Sequence, residues 1–183
     1  MTQDFHTYKE IRQQPRVWRK AYDIIHTRKA EIRSFLATNL DKDYTIVLTG
    51  AGTSAYIGDA LEPALSRISR SVRAIATTDI ITDPGLYFDE NSKVLLVSFA
   101  RSGNSPESVG AVKAVEKTAG KVAHIFITCN ENGELAKMKG SNILTILLPP
   151  ETNDVSLAMT SSYSTMLIVC SMIARIDYIE EDK

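Results

Sequence analysis

Apolar residues follow the spacing of a single helix face early in the chain. Val17, Ala21, Ile24, Ile25, Ile32, Phe35 and Leu36 predict an amphipathic helix over residues 17–40. Pro15 sits where such a helix can begin, because its missing N–H costs nothing in a first turn. Residues 1–14 are polar and without period, and read as irregular. At Tyr44 the period changes. Residues 44–49 form a short β-branched run that meets the Gly-rich turn Gly50-Ala51-Gly52. Thr53 or Ser54 then offers a hydroxyl cap for a helix running to about Leu65.

This alternation repeats. Residues 72–76 read as a weak second strand, 94–99 as a strong third, 122–128 as a fourth and 143–148 as a fifth, stopped by Pro149-Pro150. Residues 105–118 read as a helix closed by Gly120, 133–138 as a short helix, and 157–178 as a last helix with a polar start and an apolar body. Strands that are apolar on both faces, separated by helices, argue for a parallel sheet covered on both sides. No repeat, low-complexity segment or linker divides the chain.

Composition adds exclusions. The 183 residues are 44% hydrophobic and 23% charged, as in one ordinary globular domain. A net charge of −1 gives no bulk attraction to nucleic acid. No apolar run approaches the roughly 20 residues that span a bilayer, and the first residues lack the pattern of a signal peptide. Cys129 and Cys170 form no CxxC pair and read as buried free thiols. The expectation is a cytoplasmic protein with a small-molecule ligand, without metal, cofactor, nucleic acid or membrane partner.

In an open parallel sheet, ligands bind beyond the carboxyl ends of the strands. Three segments there are rich in small and hydroxylic residues. The most informative is Ser98-Phe99-Ala100-Arg101-Ser102-Gly103-Asn104-Ser105-Pro106-Glu107-Ser108, which follows a strong strand and opens a helix whose first turn holds Pro106. A helix start directs N–H groups at an anion, Gly103 permits close backbone approach, Ser102 and Ser105 add hydroxyls, and Arg101 adds charge. That chemistry suits a phosphate monoester. An ordinary turn with Ser105 as N-cap is the plainer alternative. The first segment, Gly50-Ala51-Gly52-Thr53-Ser54-Ala55, also fits G-x-G-x-x-A, so nicotinamide or flavin binding stays open, with Asp79 as the nearest acid. The third is Ala158-Met159-Thr160-Ser161-Ser162, whose hydroxyls either cap the last helix or meet the ligand.

Together these loops resemble the SIS domain of phosphosugar isomerases. Glu10-Ile11-Arg12-Gln13-Gln14-Pro15 is similar to a segment preceding the first SIS domain in the glucosamine-6-phosphate synthase group. Within that group the three loops look closest to the AgaS-type tagatose-6-phosphate ketose/aldose isomerases, also described as galactosamine-6-phosphate deaminase/isomerases. The resemblance implies a three-layer αβα sandwich with a five-stranded parallel sheet in flavodoxin-like order. It implies an N-terminal arm and helix over residues 1–40 and a single SIS domain over 41–183, the family's second SIS domain being absent from this chain. It also implies a homo-oligomer that binds a hexose or hexosamine 6-phosphate through Gly52, Thr53, Ser54, Arg101, Ser102, Gly103, Asn104, Ser105, Ala158, Thr160 and Ser161. Two departures stand out. Ala100-Arg101-Ser102 replaces the Ser-Gln-Ser of glucosamine-6-phosphate synthase, and Met159 replaces a Ser.

Isomerisation needs a base near C1 and C2, and no residue here announces itself as one. Glu107 complements a helix dipole. Asp59 and Glu62 read as helix surface, His124 as a strand residue, and His6 and His26 carry no motif. The catalytic residues are unassigned. A non-catalytic phosphosugar sensor is an alternative reading.

Overall fold

The computed structural model describes residues 5–69 and 71–182. Five strands, β1 (Thr45–Gly50), β2 (Val72–Ala74), β3 (Lys93–Ala100), β4 (Lys121–Thr128) and β5 (Ile143–Leu147), pair in parallel in the order β2-β1-β3-β4-β5. This is the flavodoxin-like order. The pleat divides each strand between two cores. On β3, Leu95, Val97 and Phe99 face one apolar cluster, while Val94, Leu96 and Ala100 face the other.

The first core is closed by α1 (His6–Thr27), α2 (Lys29–Asn39), α3 (Ala55–Leu65) and α7 (Ser161–Ala174). The second is closed by α4 (Thr77–Thr82), α5 (Pro106–Thr118) and α6 (Glu134–Lys137). Ile25, Ile57 and Val169 in the first core and Ile80, Val115 and Leu135 in the second are fully buried. Burying each such side chain contributes about 1.5–3 kcal/mol over leaving it in water.

Several expected boundaries move. The N-terminal helix begins at His6 rather than near Pro15, which lies inside α1. The expected irregular stretch is therefore helical from residue 6, and residues 1–4 lie outside the described part. Periodicity could not reveal this, because the start of α1 is held by polar groups. Glu10 and Gln13 bond to the segments before and at the start of α7. The single helix expected over 17–40 is two, broken at Arg28, whose Nη1 donates to the Thr145 carbonyl at 2.8 Å. The last helix is shorter than expected and passes into a 3-10 segment, Ile176–Asp182. Neither Thr53 nor Ser54 caps α3. They belong to a 3-10 turn, Gly52–Ser54, that makes no side-chain cap bond. Helix α4 had no sequence expectation, its six residues being too few for a period to register.

His124 lies on β4, fully buried, with Nε2 3.2 Å from Glu116 Oε1 on α5 but poorly aligned for a hydrogen bond. Burial lowers its pKa more than Glu116 raises it. The unfolded chain therefore takes up a proton that the folded chain resists. That contribution to stability is complete above about pH 6.5, the unfolded value, and is lost as pH falls through the lower folded value. We expect the urea unfolding free energy to fall between about pH 7 and about pH 5, and His124→Leu to show a shallower fall. A second check concerns the thiols. Burial pushes both Cys129 and Cys170 up to about 12. A maleimide should label neither cysteine in the native protein and both after denaturation.

Candidate functional site

Strand β1 lies between β2 and β3, so the chain leaves it in one direction and β3 in the other. After β1 it turns to α3 on the first face, and after β3 to α5 on the second. The two loops part beyond Gly50 and Phe99, which are register partners, and open a crevice at the topological switch point.

The loop at residues 101–105 forms one wall. Gly103 has φ +66°, a left-handed conformation that a side chain strains. The segment after β4 grips this loop from behind. Asn130 Nδ2 donates to the Ser102 carbonyl at 2.9 Å, the Leu135 N–H to the Gly103 carbonyl at 3.1 Å, and the Glu134 N–H to Asn104 Oδ1 at 2.9 Å. Gly133 permits that grip, since a Cβ there would stand 2.5 Å from the Ser102 carbonyl oxygen. Helix α5 then starts at Pro106. Its N-cap, Ser105, accepts from the Ser108 N–H at 3.2 Å and donates to Ser108 Oγ at 2.6 Å. The cap itself is neutral, Glu107 being the acid of the first turn, and the positive end of the helix dipole faces the crevice.

A cavity of about 140 Å³ lies in this crevice, lined by Ser54, Ser102, Ser105 and Ser108, by Arg101, and by Met159 from the third loop. Ser54 is buried, with Oγ 3.8 Å from Met159 Sδ. Arg101 is the one cation among the described residues of the lining, and its Nη1 donates to the Ser156 carbonyl at 3.1 Å. The volume is below the roughly 300–1,000 Å³ of pockets for whole drug-sized ligands, so it suits one charged group with the rest of a ligand outside. Larger cavities lack this set of hydroxyls, and those of about 560 and 570 Å³ combine their cation, Arg19 or Lys113, with a carboxylate, Asp23 or Glu134. One of about 260 Å³, lined by Leu36, Leu48, Leu95 and Ile173, is apolar, and one of about 400 Å³ near Asn130 and Asn153 has no cation in its lining.

The third loop is arranged differently from its sequence reading. Asp154, buried, holds the start of α7. Its carboxylate accepts from the N–H groups of Thr160, Ser161 and Ser162 at 2.9, 3.2 and 2.9 Å, and from Ser162 Oγ at 2.6 Å. Thr160 is the N-cap residue by position but makes no side-chain cap bond, and its hydroxyl turns to Asp154 at 3.3 Å. Ser161 is fully buried, donating to the Glu10 carbonyl and accepting from Gln13 Nε2. Its hydroxyl lies in the seam between α1 and α7, which corrects the ligand-contact reading for that residue.

Of the sequence candidates, Ser54, Arg101, Ser102 and Ser105 therefore meet in one cavity, with Gly103 shaping the loop. Gly52, Thr53, Asn104 and Ala158 are exposed around it. Asp79, the acid of the dinucleotide alternative, is on exposed α4 rather than at the end of β2. Glu62 is structural, its Oε2 accepting from the Ala74 N–H at 2.9 Å. Among the described residues no group of three or more His, Cys, Asp or Glu is placed to hold a metal, and no helix is long and apolar enough to cross a membrane. Sequence reasoning named Ser108 and Glu10 only as members of longer segments and did not single out either, or Asp154, as a site residue. Ser108 had a usable signal, standing three residues after an N-cap serine. Asp154 and Glu10 had none, since their partners are set by loop shape and tertiary contact.

Comparison with known proteins agrees with this geometry. Residues 40–176 match the SIS domain model. The D-galactosamine-6-phosphate deaminase AgaS of Shewanella sp. (strain ANA-3) is 45% identical over 176 residues, covering 92% of this chain and 45% of that protein. The crystal structure of tagatose-6-phosphate ketose/aldose isomerase from Escherichia coli superposes with a TM-score of 0.92 at 39% identity, over 96% of this chain and 49% of that one. A phosphoheptose isomerase from Francisella tularensis shares the fold, with a TM-score of 0.69 at 13% identity over 99% of this chain and 100% of that one. The chain thus spans about half the length of the two more similar relatives.

Two substitutions test the scaffold of the site. Gly133→Ala must push the Ser102 backbone away, and we expect a loss of about 1–3 kcal/mol in chemical denaturation. Asp154→Ala strips the start of α7 of its acceptor, with an expected loss of about 1–3 kcal/mol in the same measurement.

Proposed function

The chain belongs to the SIS domain family, and from that premise we propose that it holds the phosphate of a hexose or hexosamine 6-phosphate as the substrate-anchoring part of an aldose/ketose isomerase or deaminase. The observation that carries this reading is the serine-lined cavity at the switch point, closed by the N-terminus of α5 and edged by Arg101. A phosphate dianion needs several donors and some compensating charge. Four hydroxyls, the dipole of a thirteen-residue helix and one guanidinium supply both. The small volume seats the phosphate and leaves the sugar over the rim, which Gly52, Thr53, Asn104, Ala158 and Thr160 border. The names of the relatives point to the same ligand class, since galactosamine 6-phosphate and tagatose 6-phosphate both carry a terminal phosphate on a six-carbon chain.

Isomerisation moves a proton between C1 and C2 through an enediol(ate), and deamination also expels ammonia from C2. Both need a base beside those carbons. Among the described residues no Asp, Glu or His lines the cavity, which fits a pocket for the phosphate, with the acid–base groups beside the sugar carbons outside it. The same observation favours a second reading, a phosphosugar sensor that binds without turnover.

We further propose residues 1–40 as an arm on a single SIS domain over 41–183, a cytoplasmic setting and self-association. Val155 and Leu157, 75% and 96% exposed beside the third loop, would be covered by such association.

A thermal-shift titration tests the reading. Galactosamine 6-phosphate and tagatose 6-phosphate should raise the melting temperature with concentration, and NAD should not. Ser102→Ala combined with Ser105→Ala should abolish the rise. A response to NAD alone would overturn the assignment. Release of ammonia, or aldose–ketose conversion, would separate the enzyme from the sensor.

A further inference from the structure

We infer that Glu10, on the helix that precedes the family-matched region, is a positioning residue for Arg101, the cation of the ligand cavity. The inference rests on the phosphate reading of that cavity.

Glu10 is 6% exposed, although it is a carboxylate on a helix that otherwise shows water its polar side. All the hydrogen bonds of its carboxylate go to two consecutive residues of the third loop. Oε1 accepts from the N–H groups of Val155 and Ser156 at 2.7 and 3.1 Å, and Oε2 accepts from Ser156 Oγ. Ser156 in turn presents its carbonyl to Arg101 Nη1 at 3.1 Å. Ser156 is thus a hub, with its N–H and O–H directed to α1 and its C=O to the phosphate loop.

Two physical points give this relay a role beyond fastening a loop. First, an arginine has a long flexible stem, and a fixed acceptor on one guanidinium nitrogen holds the remaining donors toward the cavity before a ligand arrives. The ordering cost is then met in folding rather than in binding. Second, the acceptor is a backbone carbonyl, whose position depends on the peptide that carries it. The residue that begins that peptide, Ser156, is gripped at its N–H and its hydroxyl by charge-assisted bonds to Glu10, which are stronger than neutral ones. Removing the carboxylate leaves two backbone N–H groups without an acceptor, and the Ser156 carbonyl is then free to drift from Arg101.

Isothermal titration of this chain with galactosamine 6-phosphate, and separately with inorganic phosphate, tests the relay. Glu10→Ala should weaken both by about tenfold, the size usual for groups that orient a ligand-contacting side chain. Glu10→Gln keeps an oxygen that accepts from Val155 and Ser156 and should recover most of the loss. The decisive arm is a cycle with Arg101→Met. If Glu10 acts through Arg101, Glu10→Ala has no further effect once the guanidinium is gone. An equal loss in both backgrounds, or no loss in either, overturns the inference while leaving the cavity assignment standing, provided that Ser102→Ala with Ser105→Ala still abolishes binding. Absence of binding by the unmodified chain overturns both. Should Glu10→Ala fail to fold by circular dichroism, Glu10→Asp, one methylene short of its partners, reads the same coupling.

Discussion

A parallel sheet whose strands are apolar on both faces must be covered on both, and everything else in this molecule follows from how the cover is supplied. Each crossover lands on one face or the other. Because β1 sits between β2 and β3, the crossovers after β1 and β3 land on opposite faces. The loops that begin them separate just beyond the carboxyl ends of two adjacent strands. The crevice is therefore a consequence of covering the sheet, and the serines of the two loops are placed there by topology rather than by contact with one another.

Two helices start at this edge, and their N-termini meet different fates. At α7 a buried carboxylate, Asp154, bridges three successive N–H groups. The dipole is answered inside the protein, and a second anion there would face like charge. At α5 the cap is the neutral hydroxyl of Ser105, and the acid of its first turn, Glu107, lies outside the lining of the cavity. The contrast distinguishes two hydroxyl-rich segments of similar sequence character, and the proposed phosphate site rests on the one before α5. In the other, the hydroxyls of Thr160 and Ser161 serve Asp154 and α1.

The loops are stiffened from outside the crevice. The segment after β4 holds residues 102–104 through backbone and asparagine bonds, at a separation that only Gly133 tolerates. Helix α1 holds residues 155–156 through Glu10. Neither support touches the cavity. The first fixes Ser102, which lines the cavity, and the second fixes Ser156, whose carbonyl holds the lining Arg101, so the shape of the cavity rests on residues far from it in sequence, one of them outside the region matched to the family.

Alternating apolar runs with Gly-rich turns were enough to predict a two-sided parallel sheet, and the loop at 101–105 could be read as a candidate anion site because a strand, a glycine, serines and a helix start follow one another locally. The same local motifs carry the resemblance to the SIS family, and that resemblance implied the strand order. Tertiary structure decided what is non-local. It extended α1 back to His6, since Glu10 and Gln13 find polar partners across the chain that no hydrophobic period records. It gave the start of α7 to Asp154 and turned Ser161 into the α1 seam, because a helix N-terminus takes whichever acceptor the loop geometry delivers. Hydrophobic spacing is written along the chain, whereas a hydrogen-bond partner is chosen by distance in space, and that is where sequence reading stopped.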